Sequence, residues 1–137
     1  MKLYVVEYLV ALGVFLAFDF VWLKTMGPAF YAPELGALLR PSPNMVVALA
    51  FYMLFVFGLV VFVIHPALTM PSGGLSGAVM RAALFGLVAY ATYDLTNLAT
   101  ISGFTARVAV VDMAWGAVLS AAVTGVTVSI VNRMFAG

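Results

Sequence analysis

The sequence predicts an all-α integral membrane protein built as a four-helix bundle. Hydrophobic residues make up 66% of its 137 residues and charged residues only 8%, whereas about a quarter of the residues in a soluble domain are charged. Four apolar windows, residues 3–23, 44–64, 82–101 and 108–131, reach the roughly 20 residues that a helix needs to cross the bilayer core. They must be helices because unpaired backbone polar groups are too costly in lipid. We expect residues 1–137 to form a single transmembrane domain.

The first window is predicted to remain in the protein as a membrane helix. Its apolar run is too long for the core of a signal peptide, and no small-residue cleavage site follows it. Residues 26–44 then contain four prolines among apolar and charged side chains. This pattern predicts a short helix lying in the membrane interface, with a plain loop as the alternative.

Helix-breaking residues, mainly proline and glycine, predict where the remaining helices begin and end. The second window carries no charge and is rich in Phe and Val, so we expect the most lipid-exposed helix there. Prolines and glycines in residues 65–77 end it, and the short stretch 102–107 predicts an antiparallel hairpin of the last two helices. Residues 12–23 and 87–98 also align, which suggests a weak internal repeat of two helical hairpins.

Composition excludes several kinds of function. A net charge of +1 without a basic cluster argues against a nucleic-acid partner. The absence of cysteine rules out disulfides and thiol chemistry. His65 is the one histidine, so a single chain cannot form a multi-histidine metal or haem site. We therefore expect neither a cofactor nor a metal.

Three aspartates fall inside the predicted helices, in the same half of the membrane. Asp19 and Asp112 each lie roughly 6 Å inside a helix boundary and Asp94 roughly 10 Å, at 1.5 Å per residue. An isolated charge at the bilayer centre costs about 2.5–3.5 kcal/mol, so these side chains should face inward, and we expect at least one to be protonated at neutral pH. Glu7, near the start of the first helix, is instead expected to reach headgroup water.

The polar side chains around these aspartates predict a ligand- or proton-binding site. Tyr90, Asp94 and Asn97 recur at helical spacing, and the pattern Asp-x-x-Trp occurs twice, so that one indole is expected on each side of the carboxylate layer. The candidate residues are Asp19, Asp94, Asp112, Asn97, Tyr90, Tyr93, Trp22 and Trp115. The alternative is that they only hold the helices together through hydrogen bonds of about 0.6 kcal/mol each.

Three functions are compatible with such a layer. The first is the binding or transport of a proton, a cation or a small amphipathic ligand. The second is an accessory or catalytic subunit in membrane-lipid modification, with paired carboxylates as acid and base; an enzyme is less favoured because hydroxyls are the available nucleophiles. The third is a structural partner in a membrane complex. Small residues at spacing four predict a homodimer through one of two faces of the last helix: Gly116, Ser120 and Thr124, or Ala117, Ala121 and Gly125.

Three sequence strings carry a resemblance to a known family. They are FDFVWL (Phe18–Leu23), GLVAYATYDLTNLAT (Gly86–Thr100) and VVDMAWG (Val110–Gly116). The chain resembles, over nearly its whole length, the bacterial four-helix membrane proteins of domain-of-unknown-function family 2177. The resemblance implies the fold and a location in the bacterial inner membrane but no reaction. Lys and Arg are balanced three against three between the two sides; we expect both termini in the cytoplasm.

Overall fold

Four long helical segments make up the chain. A computed structural model describes residues 1–70 and 73–136, and within these ranges it contains helices and turns but no strand. The four segments are long and apolar enough to cross a membrane, which confirms the predicted all-α four-helix architecture. The α-helices are α1 (Lys2–Met26), α2 (Ala32–Leu35), α3 (Met45–Leu59), α4 (His65–Thr69), α5 (Gly74–Thr100) and α6 (Ala106–Phe135).

The first segment is longer than its apolar window. A π-helical turn (Gly27–Tyr31) joins α1 to α2, and a 3₁₀ turn (Gly36–Leu38) follows, so that the segment runs without a break from Lys2 to Leu38. Proline is tolerated here because Pro28 and Pro33 lie at the first positions of their helical turns, where the missing N–H is least needed. The short helix predicted after the first window therefore exists, as a continuation of α1.

Side-chain caps begin α3 and α6. The Asn44 side chain accepts hydrogen bonds from the backbone N–H groups of Val46 and Val47, at 3.1 and 3.2 Å. Thr105 accepts from the N–H of Val108 at 3.2 Å, and each cap satisfies donors that a helix start leaves unpaired. Gly103 makes the turn before α6 with φ +90°. The predicted antiparallel hairpin of α5 and α6 is thus confirmed.

Helix α6 packs against both α5 and α1. The face of α1 that is buried repeats every four residues, at Glu7, Ala11, Phe15 and Asp19. Helices α1 and α6 run antiparallel: Asp19 contacts Trp115 near one end, and Leu3 lies beside Val131 at the other. The core between the helices is aliphatic and aromatic, and its largest members include Phe15, Phe55, Leu59, Ile64 and Leu119.

One of the two predicted dimer faces lies inside the chain. Gly116, Ser120 and Thr124 are fully buried, because Gly86 of α5 lies directly against Gly116 and Ser120. That part of the prediction was wrong, since small residues bring two helices of the same chain together as readily as two chains. Ala117, Ala121 and Gly125 are partly exposed, and a dimer through them stays a prediction.

Helix α3 is not the most exposed to lipid, as had been expected from its composition. Of the apolar window in segment Met45–Thr69, 33% is buried, against 17% for the segment that forms α5. A second π-helical turn (Val60–Ile64) links α3 to α4, and its residues Val60, Val63 and Ile64 belong to the core. High hydropathy marks a helix as apolar, but it does not distinguish lipid from protein as the neighbour.

Candidate functional site

A cavity of about 440 Å³ lies between α1, α3, α5 and α6. All four long segments contribute to its wall. Six of the eight predicted site residues line it: Asp19, Trp22, Tyr90, Tyr93, Asp112 and Trp115. Five further residues complete the wall: Leu23, Ala48, Phe51, Tyr52 and Ala89.

The two tryptophans form a stacked pair. The ring centroids of Trp22 and Trp115 are 4.2 Å apart with an interplanar angle of 3°, so the expectation of one indole on each side of the carboxylates was wrong. The reason is the antiparallel register of α1 and α6. In this register Trp115 lies beside Asp19 of the other helix, and its ring meets that of Trp22.

Hydrogen bonds connect both indoles to the aspartates. The indole N–H of Trp115 donates to Oδ1 of Asp19 at 3.1 Å. The indole N–H of Trp22 donates to the hydroxyl of Tyr31 at 3.1 Å, and this hydroxyl donates to Oδ1 of Asp112 at 2.7 Å. Both cavity aspartates are therefore oriented by an aromatic side chain.

Tyr31 was not among the predicted site residues. It lies in the π-helical turn after α1, in a stretch that the sequence assigned to the membrane interface. That turn packs against the start of α6, where Phe30, Tyr31 and Leu35 contact a small cluster of Phe104, Val108 and Ala109. An ion pair fastens the same region: Nη1 of Arg107 lies 3.1 Å from Oε1 of Glu34. The extension of the first segment thereby holds Tyr31 over Asp112.

Asp94 lies behind the cavity wall and does not line it. Its side chain is fully buried, and neither oxygen has a hydrogen-bond donor among the residues that the structure describes. The carboxyl of Asp112 is a neighbour of Asp94. Two carboxyl groups can share a hydrogen bond only when one of them holds a proton. This arrangement is compatible with the predicted protonation of one aspartate, which stays a prediction.

Asn97 is the second predicted residue outside the cavity wall. It is half-buried, and its side chain neighbours the Tyr93 hydroxyl. Tyr93 itself is exposed at the edge of the cavity, with its ring edge-on to Phe104 at a centroid distance of 6.1 Å. Asn97 therefore contributes to the surroundings of a wall residue, not to the wall.

Tyr52 is the most informative residue that the sequence analysis missed. Its hydroxyl faces Asp19 from α3, and its ring and that of Phe51 complete an aromatic wall. A signal was present, because Tyr52 is the one side chain with a polar group among residues 45–64. An isolated hydroxyl in a hydrocarbon-like run indicates a face turned towards protein.

A separate polar pair lies at the opposite end of α1. Glu7 is fully buried, and its two carboxylate oxygens lie 3.0 and 2.9 Å from Nδ1 of His65. The ring of Tyr4 stacks on the imidazole at a centroid distance of 3.7 Å. The expectation that Glu7 reaches headgroup water was wrong, because α4 brings His65 over it. Within residues 1–70 and 73–136, no three acidic, histidine or cysteine side chains are grouped to hold a metal ion.

Four membrane-length helices around a cavity of carboxylates and aromatic rings define a small helical membrane protein. The family model described as "Predicted membrane protein (DUF2177)" matches residues 4–129. The chain therefore belongs to this family, and the resemblance noted from the three sequence strings is confirmed. Searches among curated proteins and among solved structures found no match.

Proposed function

We propose that the protein binds a small organic cation with an apolar body in the cavity between its helices, as a binding or transport protein. We further propose that it does so in the bacterial inner membrane with both termini in the cytoplasm. One observation carries the proposal. Two carboxylates and six aromatic rings line the same cavity, and no Lys, Arg or His belongs to the wall that the described residues form.

The charge of the cavity wall is the first feature that selects a ligand. Asp19 and Asp112 offer negative charge in surroundings of low dielectric constant, where attraction to a cation is stronger than in water. Aromatic faces add to it, since a cation over a ring gains about 0.5–2 kcal/mol. An anionic or phosphate-bearing ligand would meet like charge in the same place. The cavity therefore favours positive ligands.

Shape and polarity favour an organic ion over a metal ion. Calcium takes six to eight oxygen ligands, and magnesium needs near-ideal octahedral geometry. The cavity instead combines two carboxylates with rings and with the aliphatic Leu23, Ala48 and Ala89. Its volume of about 440 Å³ lies within the range of about 300–1,000 Å³ found for small-molecule sites. An ammonium group attached to an apolar body fits both features.

The test uses the two tryptophans, which are the only ones in the chain and both line the cavity. Tryptophan fluorescence of the protein in lipid vesicles is titrated with benzyltrimethylammonium. The matched control is neopentylbenzene, which has the same shape with carbon in place of the charged nitrogen. We expect a saturable change with the cation and none with the neutral compound. Equal responses to the two would refute charge as the basis of binding.

Variants locate the binding charge. Asp19→Asn keeps the shape and the acceptor for Trp115 but removes the charge, and we expect at least tenfold weaker binding, which corresponds to about 1.4 kcal/mol. Glu7→Gln is the matched control, because this carboxylate is also buried on α1 but lies at the opposite end of the helix, outside the cavity wall. Unchanged affinity in Asp19→Asn would contradict the proposal. The sequence-level alternatives, lipid modification and a structural partner, gain no specific support from this geometry.

A further inference from the structure

A groove on the outer surface of the bundle meets the cavity at Asp19. The groove lies between α1 and α3 and has a volume of about 510 Å³. Three residues, Asp19, Leu23 and Tyr52, line both the groove and the cavity. The rest of the groove consists of exposed side chains such as Leu16, Phe20 and Leu49. An aspartate therefore separates an internal aromatic cavity from a surface that faces lipid.

The apolar surface continues along the same two helices. A second groove of about 470 Å³ lies between α1 and the π-helical end of α3, lined by residues that include Val5, Leu9 and Phe57. Gly13 lies between the two grooves, and a Cβ added there would have no atom within 4 Å. From Asp19 to Val5 the helix rises roughly 21 Å at 1.5 Å per residue. This distance exceeds half of the hydrocarbon thickness of about 30 Å.

From this geometry we infer that the ligand is a cationic amphiphile: its ammonium group binds at Asp19 and Asp112, and its alkyl chain leaves between α1 and α3 to lie in the outer groove. The inference rests on the proposed function and names its ligand class. The orientation is the one an amphiphile already has in a leaflet. Its head would lie near the membrane boundary, where Asp19 is, and its tail would point to the bilayer centre along α1.

The negative charge of Asp19, where the groove meets the cavity, determines which lipid-like molecules can bind. Asp19 accepts a hydrogen bond from Trp115 and, together with Tyr52, lines both the groove and the cavity, so the carboxylate lies where the two meet. A phospholipid would bring a phosphate next to this carboxylate and to Asp112, which like charge disfavours. A positively charged head without phosphate meets no such repulsion. An ordinary membrane phospholipid is therefore a poorer occupant than an alkylammonium ion.

The experiment compares a short and a long cation in the same vesicles. Ala17 lines the groove but not the cavity, so Ala17→Phe should fill the groove and leave the cavity intact. We expect dodecyltrimethylammonium to bind Ala17→Phe at least tenfold more weakly than the wild type, and benzyltrimethylammonium to bind both equally. Partition of the long cation into the bilayer cancels, because both proteins are measured in identical vesicles. Ala114→Phe, at an exposed position of α6, is the matched control and should bind both cations like the wild type.

A second measurement distinguishes a filled groove from a general effect of the larger side chain. The chain contains no cysteine, so a nitroxide can be attached singly through Ala17→Cys or Ala114→Cys. The dodecyl compound should restrict the motion of the label at position 17 and not at 114, and the benzyl compound should affect neither. An unchanged spectrum at position 17, or equal weakening of both cations by Ala17→Phe, overturns the inference. Absent binding of benzyltrimethylammonium to the wild type would instead refute the proposed function.

Discussion

Replacing Gly86 by alanine tests the closest helix contact in the protein. Gly86 is fully buried in α5. A Cβ at this position would overlap the backbone oxygen of Gly116 and Oγ of Ser120, and would lie 2.8 Å from the carbonyl carbon of Gly116. Backbone atoms cannot turn away as a flexible side chain can. The methyl group therefore forces α5 and α6 apart.

The expected loss of stability is the difference between two opposing contributions. Overpacking costs about 1–3 kcal/mol, and a clash with backbone belongs at the upper end of that range. Alanine offsets about 1 kcal/mol of this through its better helix propensity. We therefore expect Gly86→Ala to lower the free energy of unfolding by about 2 kcal/mol. The matched control is Gly13→Ala in α1, where a Cβ has nothing within 4 Å, and it should raise stability by about 0.5–1 kcal/mol.

The assay is reversible unfolding of the purified protein in mixed micelles, followed by circular dichroism. Both variants exchange glycine for alanine within a membrane helix, so the difference between them isolates the α5–α6 contact. We expect them to differ by about 3 kcal/mol, with opposite signs relative to the wild type. Equal stability of Gly86→Ala and Gly13→Ala would show that α5 and α6 do not approach closely at Gly86.

Substitutions at three further positions can be measured by the same unfolding assay. Glu7→Ala removes the buried carboxylate that lies within hydrogen-bonding distance of His65 and should cost about 1.5–3 kcal/mol. Glu7→Gln should cost less, and equal losses would contradict a paired carboxylate. Tyr31→Phe removes the hydroxyl that donates to Asp112 and should cost about 1.5–3 kcal/mol; an unaffected variant would argue against this hydrogen bond. Arg107→Ala removes an ion pair whose arginine is 78% exposed and should lower the free energy of unfolding by at most about 1 kcal/mol. A larger loss would contradict the small contribution expected of an exposed ion pair.

Several features of the fold were predictable because local chemistry decides them. Apolar runs of sufficient length, the breakers between them and the short stretch before Thr105 predicted four helices and the final hairpin. The continuation of the first segment was only partly predictable. Pro28 and Pro33 usually end a helix, but here they lie at the starts of new helical turns.

The candidate site was predictable in part for a different reason. Aspartates in a hydrocarbon-like run are conspicuous, and the side chains that accompany them on the same helix can be listed by spacing. Contacts between helices depend on register, which spacing within one helix does not contain. The stacking of Trp22 on Trp115 and the hydrogen bond from Tyr31 to Asp112 depend on how the helices are aligned against one another. Neither contact could be predicted from the sequence patterns.

By itself the sequence determined that this is a helical membrane protein and predicted that the three aspartates of its helices face inward, because the cost of placing polar groups in lipid leaves few alternatives. Only the tertiary structure decided which carboxylates share a cavity. It placed Asp19 and Asp112 in the wall, set Asp94 behind it and paired Glu7 with His65. The physical reason is that hydropathy is summed along a chain, whereas a binding site is formed by the few side chains that antiparallel packing brings to the same level.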